Sequence, residues 1–244
     1  SRLASVSMFV KPDKYAIADV TNKMPRAIQY RSPKYNLALA SYLKPYEHSF
    51  YAMPGLGPTA TRVITKGLNN NQIAALFIEK QACFRRPIYL GCDHSKFDST
   101  VRVEHLKAEH KEYNRTFRSN YLRQLLARQI HNKCTSRNGI AYSVKGTRMS
   151  GDYNTGLGNS LLNRVVLESF VRGLKHEIML DGDDSVVIIE QEDYDKLDFD
   201  HFKRMGFETT VEYTNVATEV TYCQKRLVLS NPPIMARNPV RAIS

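Results

Sequence analysis

Two short apolar runs, Ile178-Met179-Leu180 and Val186-Val187-Ile188-Ile189, stand on either side of Asp181-Gly182-Asp183-Asp184. They are rich in aliphatic and β-branched residues and lie too close together for any connection but a tight turn. They therefore predict a β-hairpin. Gly182 allows the tight backbone such a turn needs. The tip carries more charge than a turn requires, because one Asp beside a glycine is enough. Two adjacent carboxylates repel each other and become tolerable when a divalent cation neutralises them. Taken alone, a solvated acidic turn accounts for the same residues.

A second carboxylate feature stands upstream. Pro87-Ile88-Tyr89-Leu90-Gly91-Cys92 reads as a short buried strand ending at Asp93. An unpaired carboxylate there is costly. Lys96 is available as a partner, but a second apolar strand ending in Asp also fits a shared site for two metal ions. Asp98-Ser99-Thr100 reads as a helix N-cap cluster. Helical spacing of Leu106, His110, Tyr113 and Phe117 follows, then a second helix with Tyr121, Leu125 and Leu126 inward.

The remaining pattern is mixed. Residues 1–36 are basic and read as extended segments, and residues 72–80 read as a short helix. Asn138-Gly139 signals a hairpin. Gly156 to Leu174 is apolar on most sides and reads as a buried helix. Tyr194 to Met205 reads as a helix with Gly206 as its C-cap. Phe207 to Tyr213 and Val220 to Leu229 are further strands. The expected class is α+β, an antiparallel sheet backed by helices.

Charge narrows the partners. The 244 residues hold 35 Lys and Arg against 24 Asp and Glu, a formal charge of +11. Such an excess points to a polyanion, nucleic acid or an acidic membrane surface. The four cysteines form no CxxC pair and no zinc-finger spacing with histidine, so free thiols are expected. No run approaches the length of a transmembrane helix, and there is no secretory signal pattern. The chain opens with Ser1-Arg2 and reads as a piece of a longer protein.

Several segments together resemble a known family. Asp93-His94-Ser95-Lys96-Phe97-Asp98 is similar to the DxxxxD motif A of positive-strand RNA virus polymerases. Ser150-Gly151-Asp152-Tyr153-Asn154-Thr155-Gly156-Leu157-Gly158-Asn159 is similar to motif B, SGxxxTxxxN. Gly182-Asp183-Asp184 is similar to motif C, and Tyr222-Cys223-Gln224 to motif E. The segment from Lys23 to Asn36 resembles the basic motif F of tombusvirus-like polymerases. The motifs stand in the family's order along nearly the whole chain, and the nearest cast is tombusvirus-like or nodavirus-like.

The resemblance implies an RNA-dependent RNA polymerase with a right-hand architecture: the palm, part of the fingers, and a thumb largely missing. It divides the chain into partial fingers over 1–86, palm over 87–116, a fingers insertion over 117–148, palm over 149–230, and a linker or thumb start over 231–244. Asp93 and Asp183 would be the main ligands of two Mg2+ or Mn2+ ions, with Asp184 assisting. Asp98, Thr155 and Asn159 would sense the ribose 2′-hydroxyl, a group that is both donor and acceptor. Ser150 and Gly151 would form a loop beside template and nucleotide. Lys11, Lys23, Arg26 and Arg31 would cover the triphosphate, work that suits arginine's bidentate geometry.

Partners would be the RNA template, nascent RNA, rNTPs and other viral replication proteins, at membrane-associated complexes in the host cytoplasm. One residue departs from the pattern. Where related polymerases often carry a lysine proposed to protonate pyrophosphate, Thr210 stands here, with Lys203 on the preceding helix as a fallback. A reverse-transcriptase-like palm is disfavoured by Gly182 and Asp98. A non-catalytic basic RNA-binding fragment would require the three aspartates to lie far apart.

Overall fold

The computed structural model describes residues 2–13 and 24–239. Strands β1 (Val6–Val10) and β2 (Ala27–Tyr30) come first, followed by helices α1 (Pro33–Ala52) and α2 (Asn70–Gln81) and strand β3 (Pro87–His94). Helices α3 (Phe97–Thr100), α4 (Val103–Phe117) and α5 (Asn120–Ala127) lead to strands β4 (His131–Ser136) and β5 (Ala141–Lys145). Helix α6 (Thr155–Phe170) precedes the hairpin of β6 (His176–Asp181) and β7 (Asp184–Glu190). Helix α7 (Asp200–Arg204) and strands β8 (Thr209–Thr214), β9 (Lys225–Val228) and β10 (Ile234–Arg237) follow. These elements gather into two compact units interleaved along the chain, residues 1–44 with 98–155 and residues 45–97 with 156–244.

The second unit is built on a four-stranded sheet of order β6-β7-β3-β8, antiparallel throughout. Val186, Val187, Ile188 and Ile189 are all fully buried, so both faces of the sheet are covered. That is why the run reads as continuous apolar residues rather than an alternation. On one face, Phe77 of α2 packs with Tyr89, Met179, Ile188 and Leu227, and the Phe77 and Tyr89 rings stack with centroids 5.4 Å apart. Each such side chain contributes about 1.5–3 kcal/mol on burial. Helix α2 is longer than the expected 72–80, because Asn69 and Gln72 form a reciprocal capping box at its start.

The single helix expected over Tyr194 to Met205 is absent. A 3₁₀ turn covers Gln191–Lys196, Leu197 is extended, and α7 begins only at Asp200. The reason is local. The Asp198 carboxylate accepts from the Asp200 N–H at 3.1 Å, which starts a new turn instead of continuing the old one. Gly206 follows α7 with φ +89°, as the C-cap reading anticipated.

The first unit contains the sheet β2-β1-β4-β5. Here β1 runs antiparallel to β2 but parallel to β4, so this sheet is mixed rather than purely antiparallel. The Asn138-Gly139 turn joins β4 to β5 with Gly139 at φ +83°. Helix α1 starts at Pro33, and Ser32 caps it by accepting from the Tyr35 N–H. In α4 the expected Leu106, His110 and Tyr113 are buried. In α5 the expected Leu125 and Leu126 are buried, but the third inward residue is Leu122, while Tyr121 is exposed. Asp98 is not an N-cap: it lies in the first turn of α3. Helix α4 has Arg102 as its N-cap instead, and the Arg102 N–H donates to His105 Nδ1.

Charged groups fill part of this unit's core. Arg31, Glu109, Arg148 and Asp152 are all buried. Arg148 pairs with Glu109 at 2.5 Å and Arg31 with Asp152 at 2.9 Å. Burial pushes the Glu109 carboxyl up, but the Arg148 guanidinium outweighs it and holds the group below the usual carboxylate range.

Candidate active site

The acidic hairpin forms as its sequence predicts. Strands β6 and β7 pair up to Asp181 opposite Asp184, leaving Gly182 and Asp183 as the two turn residues. Gly182 has φ +68°, a conformation a side chain would strain. Residues directly opposite in an antiparallel pair share one face of the sheet. Extending the β3–β7 register by one step from Cys92 opposite Ser185 brings Asp93 opposite Asp184. Asp93 in turn pairs with Thr210 of β8. One row across the sheet therefore reads Asp181, Asp184, Asp93, Thr210.

Electrostatics mark this row. The Asp184 carboxyl is pushed up to about 6, first by partial burial and then by the negative charges of Asp183, Asp93 and Asp181. Among the described residues, no lysine or arginine forms an ion pair with Asp93, Asp183 or Asp184. Nor do three His, Cys, Asp or Glu side chains close around a single point there.

The turn is held from beneath by α6. Ser160 Oγ accepts from the Gly182 N–H at 3.1 Å. Asn163 Nδ2 donates to the carbonyls of Gly182 and Asp183 at 3.0 and 3.3 Å. Asn163 Oδ1 lies 3.0 Å from His94 Nε2, and His94 Nδ1 lies 2.7 Å from Thr209 Oγ1. His94, next to Asp93, thus faces the interior among Phe97, Phe202 and Phe207. Burial lowers its pKa, so it serves as a neutral hydrogen-bonding brace. Two of the buried polar side chains of α6, Ser160 and Asn163, are explained by this work.

One residue of the neighbourhood, Lys66, carries a signal that motif reading passes over. Lys66 Nζ donates to Asp181 Oδ1 at 2.7 Å. It is delivered by residues 63–65, which run beside the end of β6: Leu180 N–H donates to the Val63 carbonyl, and Thr65 N–H to the Leu180 carbonyl. Gly156 leaves room for this lysine, since a Cβ there would stand 3.3 Å from Lys66 Cε. A third aspartate at the tip was the readable clue, because it needs a counter-charge of its own. Cys223, at φ +49° beside the sheet, has its thiol pushed up to about 12 by burial and by Asp184 and Asp181, which keeps it unreactive.

The other expected site residues are placed as follows. Ser150 and Gly151 lie in the turn before α6. Thr155 opens that helix, and its hydroxyl bonds to the carbonyls of Met149 and Asp152. Asn159, four residues on, is buried, and Asp98 is half-buried. Lys11 and Arg26 converge on one carboxylate, Asp13. Arg26 reaches it with Nε at 2.7 Å and Nη2 at 2.9 Å, and Lys11 with Nζ at 3.3 Å. The Arg26 guanidinium is the largest reason the Asp13 pKa is lowered. Lys23 lies outside the described residues.

Arg31 departs from the triphosphate role. It is only 1% exposed, and its guanidinium is committed to Asp152, Asn132 and the Ala4 carbonyl. The basic run showed its charge, but not the acidic partner 121 residues away.

Comparison with known proteins gives this arrangement a context. Residues 1–244 match a family model described as viral RNA dependent RNA polymerase. The chain is 34% identical over 256 residues to the RNA-directed RNA polymerase of Oat chlorotic stunt virus (isolate United Kingdom), covering 99% of this chain and 34% of the relative. It is 35% identical over 252 residues to the RNA-directed RNA polymerase of Turnip crinkle virus, covering 99% of this chain and 32% of that one. The same description belongs to a relative in Tobacco necrosis virus (strain A), 34% identical over 98% of this chain and 34% of its own length. The chain thus spans about a third of the length of these curated relatives. A hairpin of the Gly-Asp-Asp type beside a strand-borne aspartate, with a match over every residue, places the chain in the family of viral RNA-dependent RNA polymerases.

Proposed function

We propose that this chain carries the catalytic centre of an RNA polymerase that joins rNTPs to an RNA 3′-hydroxyl under the direction of an RNA template. The observation that carries the proposal is the row of Asp181, Asp184 and Asp93, with Asp183 at the turn and, among the described residues, a lysine counter-charge on Asp181 alone. In this reading the sheet β6-β7-β3-β8 is the palm, and the basic segment before α1 belongs to the fingers.

The donor set fits hard divalent cations. It is all carboxylate oxygen, which suits Mg2+ or Mn2+ better than a softer metal. Asp93 and Asp183 would be the main ligands and Asp184 the assisting one. When bound, two such ions activate the 3′-hydroxyl and stabilise the leaving pyrophosphate in one in-line displacement. The chain's own residues do the rest. Ser160 and Asn163 fix the turn that presents Asp183. Asp98, Thr155 and Asn159 discriminate the ribose 2′-hydroxyl, and Ser150 and Gly151 border template and nucleotide. Lys11, Lys23 and Arg26 receive the triphosphate, with Asp13 giving way to it. The grip of Lys11 and Arg26 on Asp13 supports this, since a carboxylate offers the same acceptor pattern as a phosphate edge.

The test is rNTP incorporation on an RNA template by the natural full-length protein. Asp183→Ala should abolish incorporation and leave RNA affinity nearly unchanged. A variant that still polymerises would remove Asp183 from the catalytic set.

A further inference from the structure

The loop from Ser150 to Asn154 is bound to the segment from Gln29 to Asn36 by a ladder of hydrogen bonds. The Gly151 N–H donates to the Gln29 carbonyl at 2.8 Å, and the Gln29 N–H donates to Ser150 Oγ at 3.2 Å. Asn36 grips the loop on both sides of Asp152. Its Nδ2 donates to the Gly151 carbonyl at 2.9 Å, and its Oδ1 accepts from the Tyr153 N–H at 3.1 Å. Between those points Arg31 Nε binds both oxygens of Asp152, at 2.9 and 3.1 Å, inside the core. Gly151 leaves no slack, because a Cβ there would lie 2.6 Å from Tyr30 Cβ and 3.0 Å from the Gln29 carbonyl oxygen.

Two backbone groups of a turn satisfied by one side chain 115 and 117 residues away is a specific constraint. A loop has few repeating hydrogen bonds of its own, so external partners decide which conformer it holds. We propose that Asn36 and Arg31 are positioning residues for this loop, making the 29–36 segment and the 150–154 loop one rigid piece. The consequence rests on the polymerase reading above: the loop that borders the incoming nucleotide is ordered before the nucleotide arrives, and nucleotide binding does not have to order it. Asn36 is the sharper probe, because it is half-buried and carries no charge.

Removing Asn36 leaves the Gly151 carbonyl and the Tyr153 N–H without this partner. If the competent loop conformer falls to about a tenth of the population, apparent nucleotide affinity falls about tenfold while the step after binding is unchanged. In the natural full-length protein, Asn36→Ala should raise KM for rNTP about tenfold and leave kcat at saturating rNTP within about threefold. Amide exchange over residues 150–154 without nucleotide should be faster in the variant. The Asn36→Ala/Ser150→Ala double variant should lose less than the product of the two single losses, since both act on one loop. Asn36→Asp keeps the acceptor for Tyr153 and loses the donor to Gly151. It should give an intermediate KM, and it stands in if the alanine variant does not fold.

An unchanged KM and unchanged exchange at 150–154 overturn the proposal. So does a fall in kcat equal to the fall in kcat/KM, or strict multiplicativity in the double variant. A wild-type protein that incorporates no rNTP overturns the polymerase reading instead, and amide exchange still decides the clamp.

Discussion

Replacing Glu109 by alanine tests the buried charge pair in the first unit against a control on the same helix. The Glu109 carboxylate accepts from Tyr113 Oη, from Arg148 Nη1 and Nη2, and from Asn154 Nδ2. Its side chain is 0% exposed and that of Arg148 only 2%. The variant leaves a guanidinium buried without its counter-ion, a loss of about 3–5 kcal/mol. Glu112 on the same helix pairs with Arg115 at 3.2 Å, but those side chains are 44% and 71% exposed. Screening by solvent limits that pair to about 0–1 kcal/mol, so the two alanine variants should differ severalfold in cost. The chain has no tryptophan, so the readout is far-UV circular dichroism in urea, with amide exchange over β4 and β5 reporting this unit alone. The Glu109 pKa is held down, so its contribution is present above the unfolded carboxylate pKa and is lost as pH falls through the lower folded value. A Glu109→Ala loss below about 1 kcal/mol, or one equal to that of Glu112→Ala, would refute the reasoning that burial makes this pair matter.

Other expectations concern the candidate site. Asp184 has a folded pKa raised to about 6, so the folded protein holds its proton where the unfolded chain has released it. The resulting stability is present at low pH and is lost as pH rises through about 6. Thermal melting without divalent cation should therefore show a fall across that range, and added Mg2+ should remove the fall; a pH-independent melt would contradict the carboxylate crowding. Asn159→Ala should weaken the preference for rNTP over dNTP, measured as the ratio of the two kcat/KM values. An unchanged ratio would withdraw Asn159 from 2′-hydroxyl sensing.

Much of the second unit could be read from the chain because its signals are local. The Val186–Ile189 run, Gly182 and the flanking aspartates sit within a dozen residues, and the hairpin they imply is the hairpin found. Motif order placed Asp93 on a neighbouring strand, and pairing across β3 and β7 carries that through. The misreadings have physical causes. Asp198 ended a periodic pattern by capturing a nearby N–H, which periodicity does not register. Tyr121 looked apolar enough to face inward, yet Leu122 fills that place.

Long-range pairing was the least legible part. Arg31 reads as triphosphate-binding because its partner Asp152 is remote in sequence. Lys66 gave no motif signal, and its meaning comes only from the strand-like path of residues 63–65 beside β6. Asn36 closes the motif F-like segment as an uncharged polar residue, and its role lies in two backbone contacts more than a hundred residues away. Charge and apolar pattern report what a residue prefers, while its partner depends on topology.

The central claim is that Asp93, Asp183 and Asp184 hold divalent cations. Mn2+ binding counted by electron paramagnetic resonance, with rNTP and template present, addresses it most directly. The natural full-length protein should bind two Mn2+ ions per chain, and Asp93→Asn and Asp183→Asn should each weaken that binding about tenfold or more, removing one or both ions. Mn2+ binding of equal stoichiometry and affinity in wild type and in both variants would contradict the account.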